Sequence, residues 1–463
     1  MSPAGAQELR SGRVRPALRQ DRHVSNAADS PPPAPDVAAR LAVLDDLGWR
    51  GLVAQTTDAD ALRRHLAAGP VTLYCGFDPT ADSLHVGNLV PLLALRRFQL
   101  AGHRPIALAG GATGFIGDPS GRSTERVLMT ADVVAARVAR IQSQMEQFLD
   151  FGDGPTDAVL VDNLDWTAPL SAIDFLRDVG KHFSINAMLA KESVSARLEA
   201  GGLSYTEFSY MLLQSNDYLE LHRRYGCTLQ VGGNDQWGNI TAGTTLVRKM
   251  HGAEAHGVTL PLLTTSAGTK FGKSEAGAVW LDAARTSPYQ FYQFWIGADD
   301  RDAGRYLRTF TLLAREEIEA LDEATAAAPE KREAQQLLAR SVTTLIHGAE
   351  AAQAAAEVST LLFAKGDPTK LSASALSALA REVPTSEVPA AESFDTLSLF
   401  VMAGLCASKG EARRLLQQGG LSVNGTKLSA TDTDIAAERL LKGQYLLLRK
   451  GARDYALIAA CVR

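Results

Sequence analysis

The chain has 463 residues, 46% hydrophobic, 21% charged and 6% aromatic, with a formal net charge of −5; this is the composition of an ordinary globular protein, not a fibrous or wholly disordered one, and the length calls for two or three domains. No window reaches the roughly 18 consecutive apolar residues of a membrane-spanning helix and the N-terminus has no apolar signal-peptide core, so the expectation is a cytoplasmic protein without a membrane partner. Cys75, Cys227, Cys406 and Cys461 stand far apart with no C-x-x-C pairing, which argues against a zinc site and a disulfide framework and fits a reduced compartment.

Residues 1–36 carry five arginines and end in Ser30-Pro31-Pro32-Pro33-Ala34-Pro35. They read as a disordered extension, with a transit peptide or a start assigned too far upstream as the other readings. From 37 to 282 short apolar runs alternate with helical patterns. Val71–Cys75 and Pro105–Ala109 before Gly110-Gly111 are two such runs, with Val159–Asp162 and Leu229–Gly233 further along. This alternation predicts an α/β domain with a Rossmann-like parallel sheet, whose ligands bind beyond the carboxyl ends of the strands. Residues 283–365 turn to Ala, Leu, Glu and Arg with apolar residues at helical spacing and predict an α-helical domain. Residues 366–396, with Pro368, Pro384 and Pro389 among Ser, Thr and Ala, read as a linker with one short helix. Residues 397–463 hold ten Lys/Arg against five Asp/Glu, net +5, which leaves net −10 on the rest. A small basic α+β module on an acidic body suggests a polyanionic partner.

Two stretches offer phosphate chemistry. In Phe77-Asp78-Pro79-Thr80-Ala81-Asp82-Ser83-Leu84-His85-Val86-Gly87-Asn88 a strand runs through a polar loop into a helix start. Backbone N–H groups and the dipole there favour phosphate, and His85 and Asn88, three apart, share a face. In Thr269-Lys270-Phe271-Gly272-Lys273-Ser274 two lysines bracket a glycine, so two cations on one loop could close over a triphosphate and neutralise a departing pyrophosphate. A third pattern, Tyr210, Gln214 and Asp217, puts phenol, amide and carboxylate on one helix face.

Taken together, in this order and about 185 residues apart, the first two stretches resemble the HIGH and KMSKS signatures of class I aminoacyl-tRNA synthetases. Tyr74–Thr80, Gly117–Gly121, Tyr210–Asp217 and Gly232–Asn239 are similar to the bacterial tyrosyl-tRNA synthetases, over roughly residues 40–350. The resemblance implies an enzyme that activates tyrosine with ATP and Mg²⁺ and transfers it to tRNA(Tyr), as a homodimer, without zinc or an organic prosthetic group. It implies that Asp217 and Tyr74 read the phenolic hydroxyl, that Tyr210, Gln214 and Asp118 hold the ammonium, and that Gln230 and Gln236 surround the tyrosine. Cys75, Asp78, Asn88, Gly233, Asp235 and Ser274 would serve the nucleotide. Thr80, His85, Lys270 and Lys273 would act on the phosphates, joined by Arg122 and Arg126.

Asn88 stands where the first signature has its second histidine, and Phe271 and Gly272 depart from the second. Asn can still donate through its amide, while any charge assistance is lost. Lys409, Arg413 and Arg414 lie in Ser408–Gly425, a basic helix running through a glycine turn into a strand and hairpin. That stretch resembles the RNA-binding module shared by a small-subunit ribosomal protein, pseudouridine synthases and these synthetases. It implies that the three side chains, and Lys427, contact phosphates.

Overall fold

The computed structural model describes residues 37–120, 129–200, 202–269, 271–274, 277–364 and 366–461. Residues 1–36 and three residues expected at the phosphates, Arg122, Arg126 and Lys270, lie outside them.

The sheet is the one the alternation predicts. Its strands are β1 (Gln55–Thr56), β2 (Thr72–Phe77), β3 (Arg104–Ala109), β4 (Val159–Asp162), β5 (Cys227–Gly233) and β6 (His256–Leu260), in spatial order β1-β6-β5-β2-β3-β4. β2 to β6 run parallel and β1 is antiparallel to β6. After β2 the chain moves outward through β3 and β4, then returns to the other side of β2 with β5 and β6. The strand order therefore reverses between β2 and β5, and a crevice opens beyond their carboxyl ends. Both faces of β2 are covered, Leu73, Cys75 and Phe77 packing on one side and Tyr74 on the other, as a parallel sheet clothed by helices requires.

Helix Tyr205–Tyr225 delivers residues to the crevice. Ser204 caps it by accepting the Glu207 N–H at 3.2 Å, and Gly226, at φ 63°, ends it one residue before β5. An L side chain at that φ would be strained.

Helices Pro288–Ile296, Asp300–Phe310, Arg315–Ala327, Glu333–His347 and Ala349–Phe363 follow, and share one apolar core with the sheet's helices. Residues 366–396, read as a linker, contain more structure than that reading expects. They hold helix Ala373–Glu382 and strand Thr385–Pro389, which pairs in parallel with Asp454–Cys461 as the edge of the C-terminal sheet. An edge strand tolerates prolines and polar residues, and only Val388 of its five residues is buried, so its composition imitates a linker. In the C-terminal sheet, Leu446 and Leu448 face a core of their own, while Leu447 and Leu457 join the core of the helical region. Among the described residues no helix is long and apolar enough to cross a membrane.

Candidate active site

At the crevice Tyr74 of β2 and Gln230 of β5 are register partners, 1% and 3% exposed. Neither the Tyr74 hydroxyl nor Gln230 Oε1 has a hydrogen-bond partner among the described residues. Such orphans are costly in a protein interior unless a ligand completes them. Asp217 reaches the same place from helix Tyr205–Tyr225. It is 2% exposed; its Oδ1 accepts from Trp166 Nε1 at 2.8 Å and its Oδ2 from Asn163 Nδ2 at 3.0 Å. Burial pushes its carboxyl up to about 7, opposed by those two bonds and reinforced by Asp78 and Asp162. The Tyr74 phenol is raised well above its ordinary value, by burial first and then by Asp217, so it stays protonated.

The other residues expected around tyrosine form two short chains of bonds. Tyr210 Oη donates to Asp78 Oδ2 at 2.8 Å, and Thr113 Oγ1 donates to Asp78 Oδ1 at 2.6 Å. Gln236 Nε2 donates to Asp118 Oδ2 at 2.6 Å, while Asn239 Nδ2 bridges Gln214 Oε1 at 3.1 Å and Gln236 Oε1 at 3.0 Å. Neither Asp118 nor Asp217 forms an ion pair among the described residues. The crevice is thus rich in carboxylate, which suits a cationic guest. Gly110 and Gly111 let the backbone come close to these acids: a Cβ on Gly111 would lie 2.1 Å from Asp162 Oδ1, and one on Gly110 2.2 Å from Asp78 Oδ1.

On the phosphate side His85 caps the short turn Val86–Asn88. Its Nδ1 accepts the Gly87 N–H at 3.0 Å, and its backbone N–H donates to Asn88 Oδ1 at 3.0 Å. With Nδ1 accepting, a neutral imidazole carries its proton on Nε2 and offers it as a donor. Thr80 is exposed in the loop before this turn. Cys75 is buried, its thiol pushed up to about 12 by burial first, and Gly233 and Asp235 stand at the carboxyl end of β5.

The second stretch folds as a hairpin, Lys273-Ser274 pairing with Gly277-Ala278. It is seated directly on the first. The Val86 N–H donates to Val279 O at 3.0 Å and the Leu281 N–H to Leu84 O at 2.9 Å, with His85 and Trp280 bridged between them. Gly272 takes φ 83°, where a Cβ would be 3.0 Å from Val86 Cγ2. Phe271 is 7% exposed and fills a socket of Phe294, Trp295, Tyr306 and Phe310, stacking on Phe310 with centroids 5.1 Å apart. Both departures from the signature thus have a local physical cause: the glycine supplies the backbone angle and the phenylalanine the anchor.

Sequence reasoning missed Asn163 and Trp166, the partners of Asp217, and Thr113 and Asn239, which tie the other acids and amides together. Asn163 and Trp166 directly follow β4, where polar residues beyond a strand end were a usable signal. In the C-terminal module Lys409, Arg413, Arg414 and Lys427 are all exposed. Three of them lie on or at the start of helix Lys409–Gln417, whose Ala412 and Leu416 face inward, and Lys409 Nζ is 3.0 Å from Asp395. Among the described residues no cluster of three or more His, Cys, Asp or Glu could hold a metal.

Residues 66–364 match the family model described as tRNA synthetases class I (W and Y), and residues 375–458 that of the tyrosine–tRNA ligase SYY-like C-terminal domain. Curated relatives include a tyrosine–tRNA ligase of Opitutus terrae, 56% identical over 90% of this chain and 99% of that protein. Another is from Bacillus caldotenax, 54% identical over 90% and 99%. Among solved structures, the C-terminally truncated mitochondrial tyrosyl-tRNA synthetase of Aspergillus nidulans superposes with a TM-score of 0.63 at 32% identity. It covers 69% of this chain and 94% of that one.

Proposed function

This chain belongs to the tyrosine–tRNA ligases of the class I tRNA synthetases, and from that premise we propose how its residues divide the reaction. The tyrosine carboxylate forms a bond to the α-phosphorus of ATP, the bond to the β-phosphate breaks, and pyrophosphate leaves. The terminal adenosine of tRNA then attacks the adenylate's carbonyl and AMP departs. No enzyme nucleophile is required, so rate comes from positioning and from stabilising charge on the phosphates.

The observation that carries the tyrosine assignment is the buried Asp217 carboxylate together with the orphaned Tyr74 hydroxyl. A tyrosine phenol donates to the one and accepts from the other. Phenylalanine leaves both without that partner in a dry site. Asp118, Tyr210, Gln214, Gln230 and Gln236 surround the ammonium and the rest of the substrate. Cys75, Asp78, Asn88, Gly233 and Asp235 serve the nucleoside part of ATP, and Thr80, His85, Lys270, Lys273, Ser274, Arg122 and Arg126 its phosphates. Mg²⁺ would come in on those phosphates, neutralising their charge, since it keeps most of its own oxygen shell and needs few protein ligands.

Lys409, Arg413, Arg414 and Lys427 are assigned to the tRNA backbone. A homodimer is supported by the apolar residues exposed between 173 and 205: Ile173 at 70%, Leu176 at 50%, Ile185 at 65% and Tyr205 at 73%. Large apolar side chains left exposed close together in the sequence are candidates for such an interface. The domain limits we assign are 37–282 for catalysis and 283–365 for the anticodon arm, with the RNA module at 397–463 completed by the edge strand that 366–396 adds to its sheet. A cytoplasmic location fits the bacterial relatives.

ATP–pyrophosphate exchange with each of the twenty amino acids tests the substrate assignment: tyrosine alone should drive it, and exchange with another amino acid overturns the reading of Asp217 and Tyr74. Lys273→Ala should slow adenylate formation with little change in tyrosine affinity. An unchanged single-turnover rate would remove that lysine from the phosphate set.

A further inference from the structure

We propose that Trp280 and Arg285 are positioning residues for His85, holding its imidazole in the orientation that serves the phosphates. The inference rests on the phosphate role given to His85 above. The first link is the backbone. His85 and Trp280 face each other in the antiparallel bridge that seats the lysine hairpin, between the Val86–Val279 and Leu84–Leu281 hydrogen bonds. Side chains of bridged residues lie side by side. Accordingly the Trp280 ring meets the His85 ring edge-on, with centroids 6.1 Å apart and planes at 64°.

The second link fixes Trp280 itself. The Arg285 guanidinium lies over its ring, 3.5 Å from the centroid, a cation–π stack. Arg285 is in turn paired with Asp82, in the loop that leads into His85, and Asp82 also takes Arg140 at 2.9 Å. The Trp280 backbone N–H donates to Thr286 Oγ1 at 3.0 Å, and the Asp282 backbone N–H to Ser83 Oγ at 3.2 Å. The backbone at Trp280 is thus fixed on the hairpin side, while its ring is held through Arg285 and Asp82 from the loop side.

The third link is the imidazole. Its Nδ1 is occupied by the Gly87 N–H, so its useful proton is on Nε2, and rotation of the ring would carry that donor away from any fixed phosphate. Trp280 is half-buried, at the rim and not in the apolar core. A rim tryptophan stacked under an arginine and abutting a catalytic ring has more to do with orientation than with holding the fold together.

The experiment measures single-turnover tyrosyl-adenylate formation and its reversal by pyrophosphate in the full-length protein, together with tyrosine affinity and thermal stability. The variants are Trp280→Ala, Trp280→Phe, Arg285→Gln, His85→Ala and the double variant His85→Ala/Trp280→Ala. Trp280→Ala should slow both directions by up to about tenfold, the scale of one aromatic pair, at unchanged tyrosine affinity. Trp280→Phe should recover most of the rate, and Arg285→Gln should show a smaller loss of the same kind. In the His85→Ala background Trp280→Ala should cost nothing further, because its effect passes through the missing ring. A slowed His85→Ala with a Trp280→Ala effect that is absent, or undiminished in the double variant, overturns the positioning role alone. A His85→Ala variant of normal rate removes the phosphate role on which it stands.

Discussion

Asp217 puts a carboxyl where water does not reach, and the fold accepts a cost for it. Between its ordinary value of 3.8 and about 7 the folded protein binds a proton there that the unfolded chain has already released. This group's contribution to stability therefore falls as pH rises through that window and levels off above it. Asp217→Asn should flatten the slope of melting temperature against pH between 4 and 7, and should slow tyrosine activation by ~10- to 100-fold, the value of a hydrogen bond to a charged group. A melting profile as steep as the parent's would assign the slope to other carboxyls. Discrimination against phenylalanine should weaken as pH falls through about 7, since an unpartnered neutral acid is cheaper to bury than an unpartnered carboxylate. Competition between the two amino acids in pyrophosphate exchange at pH 6 and pH 8 measures this. Asp217 was legible in the sequence because successive offsets of four and three along Tyr210, Gln214 and Asp217 place the three on one helix face, with the resemblance supplying its role. Asn163 and Trp166 could be read as residues just beyond a strand end, but not as partners of Asp217, since they meet it from 54 and 51 positions away and no periodicity links a strand end to a distant helix.

At the scale of elements, the lysine hairpin is fastened at both ends. Phe271 enters the aromatic socket on helices Pro288–Ile296 and Asp300–Phe310, and Val279 to Leu281 pair with the His85 segment. Phe271→Ala should cost about 3 kcal/mol of stability and also slow adenylate formation, while tyrosine affinity stays near the parent's. A thermal melt and a single-turnover assay on the same preparation test this, and a purely thermal effect would confine Phe271 to the core. The sequence showed these residues only as departures from a signature. Their reason appears once the socket is seen, because its aromatics come from helices whose pairing the chain pattern does not announce. Strand Thr385–Pro389 escaped notice for the opposite reason: its residues look like a linker because it is an edge.

Across the whole molecule, the assignment proposed above would give the basic module and the acidic body separate tasks. Lys409, Arg413 and Arg414 are exposed on a helix far along the chain from the crevice residues. Replacing all three with Ala should weaken tRNA binding and shallow the slope of log affinity against log salt by up to ~0.9 per lost phosphate contact, with pyrophosphate exchange unaltered. Filter binding across a salt series decides it, and an unchanged slope would move the RNA contact elsewhere. The division into sheet, helices and basic module was readable from composition and periodicity, whereas the packing of Leu447 and Leu457 into the helical core was not, because alternation shows two faces without showing what covers them. The C-terminal sheet also has a temporal side. Its hairpin Tyr445–Lys450 with Asp454–Cys461 closes a short loop, but Thr385 must find Leu457, 72 positions away, and long loops close late. The strand Thr385–Pro389 should thus be the last to dock and the first to detach, so that its amides exchange with deuterium ahead of those in the hairpin and the module loosens at the seam that joins it to the helices.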